Sequence, residues 1–427
     1  MGIRRSSLFL ALLLWVAFFS SWALAGQQAY YYPNADRLFW FMIISDTHIG
    51  ANSTCSENLT WAVTQARQVI APQFIVNTGD LTDSTNGGLI PDGPYQAEWD
   101  TYRQILENAG IDSSFYYDMP GNHDEYNDAT LAYYRANSIQ GRATGQTQPA
   151  WTRQFSYGSY HFLGACTPGN DGAPFSIWPW DNYGDHAGLD DIELPYIQSD
   201  LASHTDAQLT LIFGHHPFEA HYYNWTDTGL TYGLPTFLSL IEEYLVPFYG
   251  FGHTHNYREN FYSKDLTQGV YYMNVASLGK SDHNQYAVMA VDGNGLSIVP
   301  AQKGIWPVVL ITAPVDLCLG TCDNPYTYEI PKKTNNPIRA LVFDPNPVSK
   351  VQFSIDASLV WQDMQRIGRT PIWQGQWDAS TASTGAHFIT VRAQGSTEVM
   401  DSIITAITPT ALPRPVISPI IEMLLDD

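Results

Sequence analysis

The sequence predicts an α/β layered domain followed by a small all-β sandwich, and three observations predict it. From residue 38 to about 300, apolar strand-like runs alternate with segments whose apolar residues recur at helical spacing. Five short polar motifs each stand just beyond the C-terminal end of such a run, where open α/β sheets gather ligands. After about residue 305 the pattern changes to short β-type runs separated by Pro, Gly, Asn and Asp turns.

Taken in order, residues 38–45 form the first strand-like run, and Leu59, Ala62, Val63, Ala66, Val69 and Ile70 recur behind it at helical spacing. Residues 73–77 read as a strand. Trp99, Tyr102, Ile105, Leu106 and Ala109 mark a helix, and 114–118 a third strand. A helix near 191–201 and strands at 208–213, 246–250, 270–276 and 286–291 complete a first domain over 36–304. The runs 338–343, 351–355 and 387–392 fit an immunoglobulin- or fibronectin-like sandwich over 308–406, although no Cys-Trp-Cys arrangement accompanies them. Residues 407–427 read as a Pro-rich tail whose apolar stretch is too short to span a bilayer.

Residues 1–25 have the form of a signal peptide: Arg4 and Arg5, an apolar run, then Ala23-Leu24-Ala25. The expectation is export to a periplasmic, extracellular or cell-surface location, with no membrane span once the leader is removed. The formal charge is −22 over 427 residues, and no Lys/Arg cluster occurs. This balance disfavours a nuclease, because nucleic-acid binders carry basic patches. In an exported chain Cys318 and Cys322 are close enough to close a small loop, while Cys55 and Cys166 are either a bridge or two buried thiols.

The five motifs are Ser45-Asp46-Thr47-His48, Thr78-Gly79-Asp80-Leu81-Thr82-Asp83, Pro120-Gly121-Asn122-His123-Asp124, Gly214-His215-His216-Pro217 and Gly252-His253-Thr254-His255. Each alone is a polar turn; together, at successive strand ends, they are a metal-binding set. The donors are carboxylates, imidazoles and one amide oxygen, which suit Mn, Fe, Zn or Co, and the absence of thiolates argues against structural zinc.

With these motifs in this order, the chain resembles the calcineurin-like metallophosphoesterase superfamily over residues 38–304. The resemblance implies a four-layer α-β-β-α sandwich with two divalent or trivalent transition-metal ions at the sheet edge. It implies that Asp46, His48 and His255 hold one metal, that Asn122, His215 and His253 hold the other, and that Asp80 bridges them. A shared anion is what two cations about 3.5–4 Å apart require. The expected reaction is hydrolysis of a phosphomonoester or phosphodiester by in-line attack of a metal-bridging hydroxide, since metal binding lowers the pKa of water to about 7. The resemblance makes His123 the general acid for the leaving alkoxide and Asp83 the carboxylate that orients it.

Departures narrow the class. His48 stands where purple acid phosphatases have Gly, and Ser84-Thr85 where Ser/Thr protein phosphatases have Arg-Gly. His216, Tyr222, Trp225 and Trp178 lie in or beside long loops and are candidate walls of a substrate pocket. Small-molecule esters, nucleotides and lipid head groups all fit as substrates. The rival from another class is a catalytically silent metal-loaded surface scaffold; an intact ligand set that also keeps an acid and its carboxylate counts against it.

Overall fold

The structure is a computed structural model that describes residues 29–88, 92–169, 187–219, 229–280, 284–319 and 324–408. The expected leader, the tail from residue 409, Cys322, and the pocket candidates Trp178, Tyr222 and Trp225 lie outside the described residues.

The first apolar run folds as β1 (Leu38–Ile44), a strand buried on both faces. Phe39, Phe41 and Ile43 enter one core and Met42 and Ile44 another, as a two-residue side-chain period dictates. The helical run behind it forms α1 (Ser53–Trp61), a π-helical stretch (Ala62–Ala66) and α2 (Arg67–Ile70). The Asn52 side chain accepts the N–H groups of Thr54 and Cys55 and so caps α1. Then follow β2 (Ile75–Asn77), α3 (Gln96–Asn108) and β3 (Tyr116–Asp118). β1, β2 and β3 are parallel neighbours, so their C-terminal ends share one edge.

Three short helices come next: α4 (Asn122–Glu125), α5 (Ala132–Asn137) and α6 (Ile139–Thr144). A second sheet takes β4 (Ala150–Phe155), β5 (Gly158–Gly164), β6 (Leu209–Phe213), β7 (Phe248–Phe251), β8 (Arg258–Tyr262) and β9 (Val270–Asn274), in the order β4-β5-β6-β7-β9-β8. Helices α7 (Glu193–Ser203) and α8 (Leu234–Glu243) cover its outer face. The chain then returns to the first sheet through β10 (Gln285–Asp292) and β11 (Gly295–Gln302), giving β11-β10-β1-β2-β3. Phe41, Phe74, Phe162, Phe213 and Phe248 fill the space between the sheets. The layers are therefore helix, sheet, sheet, helix, as expected. β4, β8, β11 and α8 were not anticipated; β8, Arg-Glu-Asn-Phe-Tyr, opens on charged and polar residues that break the apolar run.

The C-terminal region is all β: β12 (Val308–Ala313), β13 (Ile330–Pro331), β14 (Asn336–Phe343), β15 (Lys350–Ile355), β16 (Gln362–Asp363), β17 (Gln365–Arg366), β18 (Ile372–Trp377), β19 (Gly385–Gln394) and β20 (Glu398–Thr408). Its two sheets, β12-β14-β18-β17 and β13-β20-β19-β15-β16, enclose Ile311, Ile338, Phe353, Trp377 and Ile389. The opposite face of the first sheet, with Leu310, Leu341 and Phe343, belongs to the same core as Val288 and Ala290 of β10. Within that contact Arg339 makes two bonds to Asp292, Nε to Oδ2 at 2.8 Å and NH2 to Oδ1 at 2.9 Å, with both residues buried.

Cys55 and Cys166 are buried thiols, so the alternative of a bridge between them falls. Burial pushes the Cys55 thiol up to about 11 and that of Cys166 higher still, which keeps both protonated. Cys318 is disulfide-bonded. Among the described residues no helix is long and apolar enough to cross a membrane.

Candidate metal centre

Because β1, β2 and β3 end at one edge, and β6 and β7 are likewise parallel neighbours, the five motif loops converge where the two sheets meet. Backbone bonds tie the loops together: Asp46 N–H donates to Gly79 O (3.0 Å), His48 N–H to Asp80 O (2.9 Å) and Gly252 N–H to His215 O (3.1 Å). Gly121 has to be glycine, since a Cβ there would stand 2.2 Å from Asp80 Oδ1.

Five of the seven expected ligands adopt a left-handed backbone, with φ of 51° at Asp46, 44° at His48, 51° at Asp80, 71° at His253 and 62° at His255. Each such residue costs on the order of 1–3 kcal/mol and persists only where its surroundings over-determine it. Here the bonds do so: His253 N–H reaches Asp46 Oδ1 (3.1 Å), while Gly279 N–H and the Ser277 hydroxyl both donate to Asp46 O (3.0 Å each).

The side chains converge in two groups. Asp46, His48, Asp80 and His255 offer donor atoms within 4.8 Å of one another, with His48 Nε2 at 3.2 Å from His255 Nε2 and His255 Nε2 at 3.4 Å from Asp46 Oδ1. In the second group, Asn122 Oδ1 lies 3.1 Å from His215 Nε2 and 3.0 Å from His253 Nδ1. Asp80 stands between them, its Oδ2 at 3.5 Å from His48 Nε2 and its Oδ1 at 3.3 Å from His215 Nε2.

The outer nitrogens fit a metal-binding role. His215 Nδ1–H donates to the carbonyl of Thr78 (2.9 Å), which turns Nε2 inward toward Asp80 and Asn122. His48 Nδ1 lies 2.9 Å from Asp83 Oδ1, close enough for a hydrogen bond although the N–H does not point squarely at the oxygen. Carbonyl and carboxylate partners of this kind fix the tautomer of metal-ligating histidines. Burial holds His48 and His253 near pKa 3, as neutral imidazoles, with the charges of His123 and His215 adding to the effect. Burial opposes protonation of His215, but the Asp80 carboxylate outweighs it and raises that ring to about 9. The centre is closed on most sides and opens at His255 and His123, whose side chains are 22% and 14% exposed.

Two expectations meet a more detailed geometry. The Asp83 carboxylate lies 3.8 Å from His123 Nδ1, within ion-pair reach, while the hydrogen bond of that ring goes to the Asp83 backbone carbonyl at 2.8 Å. The carboxylate is drawn to His48 Nδ1, the Thr85 hydroxyl and Lys280 Nζ. His216 does not wall an open pocket; it is buried behind His253, with Nδ1 on the Thr167 hydroxyl at 3.0 Å.

Other residues of the site were not singled out. Asp124 binds the N–H groups of Gly121, Leu81 and Thr82 and so locks the Asn122 loop to the Asp80 loop. Its signal was its place in the third motif. Lys280 follows β9, a further parallel strand beside β7, and that position was its only signal.

The sequence profile of calcineurin-like phosphoesterases matches residues 39–257. Mouse transmembrane protein 62 is 26% identical over 380 residues, 85% of this chain and 54% of its own length. A putative metallophosphoesterase of Arabidopsis thaliana is 25% identical over 127 residues, 28% of this chain and 17% of its own. The chain thus spans about half the length of the mouse relative and less of the plant one. Among solved structures, a dimetal phosphatase from Danio rerio is similar at 14% identity and a TM-score of 0.44, over 65% of this chain and 95% of that one. GAP50, the anchor in the inner membrane complex of Plasmodium, is similar at 14% identity and a TM-score of 0.38, over 63% of this chain and 86% of that one.

Proposed function

This chain belongs to the calcineurin-like phosphoesterase family, and from that premise we propose that it hydrolyses phosphate esters with two transition metals held by Asp46, His48, Asp80, Asn122, His215, His253 and His255. The observation that carries the reading is Asp80, whose two oxygens face imidazoles of two different groups at 3.5 and 3.3 Å. When bound, the two cations supply Lewis acidity, activating water and offsetting the charge of the phosphate oxygens.

The chain's own residues do the rest. Thr78 O and Asp83 orient His215 and His48, and Asn122 contributes a neutral oxygen beside them. His123 is held at Nδ1 by the Asp83 carbonyl, and its backbone N–H rests on Asp80 Oδ1 at 2.9 Å. Its Nε2 is then the atom that gives a proton to the departing oxygen, which requires the doubly protonated ring. Burial lowers the pKa of His123, and the charges of Asp80 and Asp83 oppose that shift. Export through the leader at residues 1–25 is part of the same reading.

Metal analysis of the purified full-length chain, with turnover of 4-nitrophenyl phosphate before and after chelation, tests it. About two transition-metal ions per chain are expected, with activity lost on chelation and restored on reloading. Activity that survives complete metal removal would exclude the reading.

A further inference from the structure

We propose that Lys280 selects the substrate's leaving group: its ammonium receives an anionic substituent, carboxylate or phosphate, on the alcohol that departs from the His123 side. The proposal rests on the roles given above to His123 and the metal centre.

Position is the first argument. Lys280 Nζ lies 2.8 Å from Asp83 Oδ1, and that oxygen lies 2.9 Å from His48 Nδ1 and 3.8 Å from His123 Nδ1. The ammonium therefore stands on the flank that holds the proton donor. There it is offset from the phosphate and close to what the phosphate is attached to.

The position is also built. Leu278 N–H donates to Ser45 O and Gly279 N–H to Asp46 O, at 3.0 Å each, and Lys280 N–H donates to Ser277 Oγ at 2.8 Å. Gly279 packs so closely that a Cβ would stand 2.1 Å from Thr47 O. The lysine thus springs from a turn fastened to the loop that carries Asp46 and His48, so its backbone is fixed relative to the site.

Availability is the third argument. The Asp83 side chain is 3% exposed while that of Lys280 is 36% exposed, so the pair runs from the buried site to its rim. An ammonium has three donors, and among the described residues Lys280 makes one ion pair. Asp83 also has His48 and Thr85 as neighbours, and Lys280 is the charged one of the three. The chain carries 20 Lys and Arg against 42 Asp and Glu, so an anionic substituent has few other cations to meet.

The test compares kcat/KM of the metal-loaded full-length protein on phenyl phosphate and 3-carboxyphenyl phosphate, for wild type, Lys280→Met and Lys280→Arg. The wild type should favour the carboxylated ester. Lys280→Met should lower kcat/KM on it about tenfold more than on phenyl phosphate, mainly through KM, and Lys280→Arg should keep most of the preference. An equal loss on both esters, with wild type active, overturns this inference alone and leaves Lys280 as a stiffener of Asp83 and His48. A wild type inactive on both, with metals bound, overturns the proposed function together with the inference.

Discussion

Arg339 of the C-terminal sandwich reaches across to Asp292 of the catalytic sheet and holds both its carboxylate oxygens. Burial raises the Asp292 carboxyl and the guanidinium counters it, so each charge depends on the other. Arg339→Leu should therefore destabilise the protein by about 3–5 kcal/mol, because an uncompensated carboxylate stays buried. Arg339→Leu combined with Asp292→Leu should cost less than the single change. Chemical denaturation would measure both; a double variant less stable than the single one would refute the account.

Asp80→Ala and Asn122→Ala should separate by metal content. Asp80 faces both histidine groups, so its loss should lower occupancy at two positions, while Asn122 faces only His215 and His253, so its loss should empty one. Elemental analysis reads the difference directly, and equal losses in the two variants would contradict it.

His123→Asn should keep the metals and slow an alkyl ester by about 10²–10⁴. A nitrophenyl ester, whose leaving group needs no proton, should be slowed much less. Equal slowing of both esters at unchanged metal content would remove His123 from the role of acid.

Asp83→Ala tests the Asp83 geometry. Since the carboxylate lies closer to His48 Nδ1 (2.9 Å) than to His123 Nδ1 (3.8 Å), its loss should weaken metal affinity about 10–100-fold while His123 still discriminates between leaving groups. Competition with a metal indicator gives the affinity. Unchanged affinity with a lost leaving-group effect would restore the original expectation.

Asp118 makes stability depend on pH. Burial pushes its carboxyl up to about 6, although the Ile139 and Gln140 N–H groups and the Tyr102 hydroxyl all donate to it. The folded pKa exceeds the unfolded value of about 3.9, so the folded state keeps a proton that the unfolded chain has lost. The stabilisation is fully present below about pH 4 and is lost as pH rises through about 6. The stability of wild type minus that of Asp118→Asn should therefore fall by about 1–3 kcal/mol over that range. Urea midpoints at matched pH would show it, and a difference that rises with pH would refute it.

What the sequence revealed follows from where chemistry constrains it. Asp46, His48, Asp80, Asn122, His215, His253 and His255 could be read because each stands directly after a strand-like run, and parallel strands bring such positions to one edge. Asp83 stands where the family resemblance implies an orienting carboxylate, but a sequence names residues and not atoms, so it could not reveal that the His123 ring bonds to the Asp83 carbonyl while the carboxylate sits closer to His48 than to that ring. Lys280 lies 197 positions from Asp83, and nothing local announces their meeting. The Arg339–Asp292 pair escaped for the same reason, since each residue reads as a strand residue of a separate domain.

The left-handed backbone at Asp46, His48, Asp80, His253 and His255 bears on what metal removal does to the site. Interlocking hydrogen bonds between the strand-end loops hold that conformation from within the chain. Metal removal is therefore expected to leave the backbone of these loops unchanged, which amide hydrogen exchange before and after chelation would check. Chelation should empty the cage and leave its walls standing.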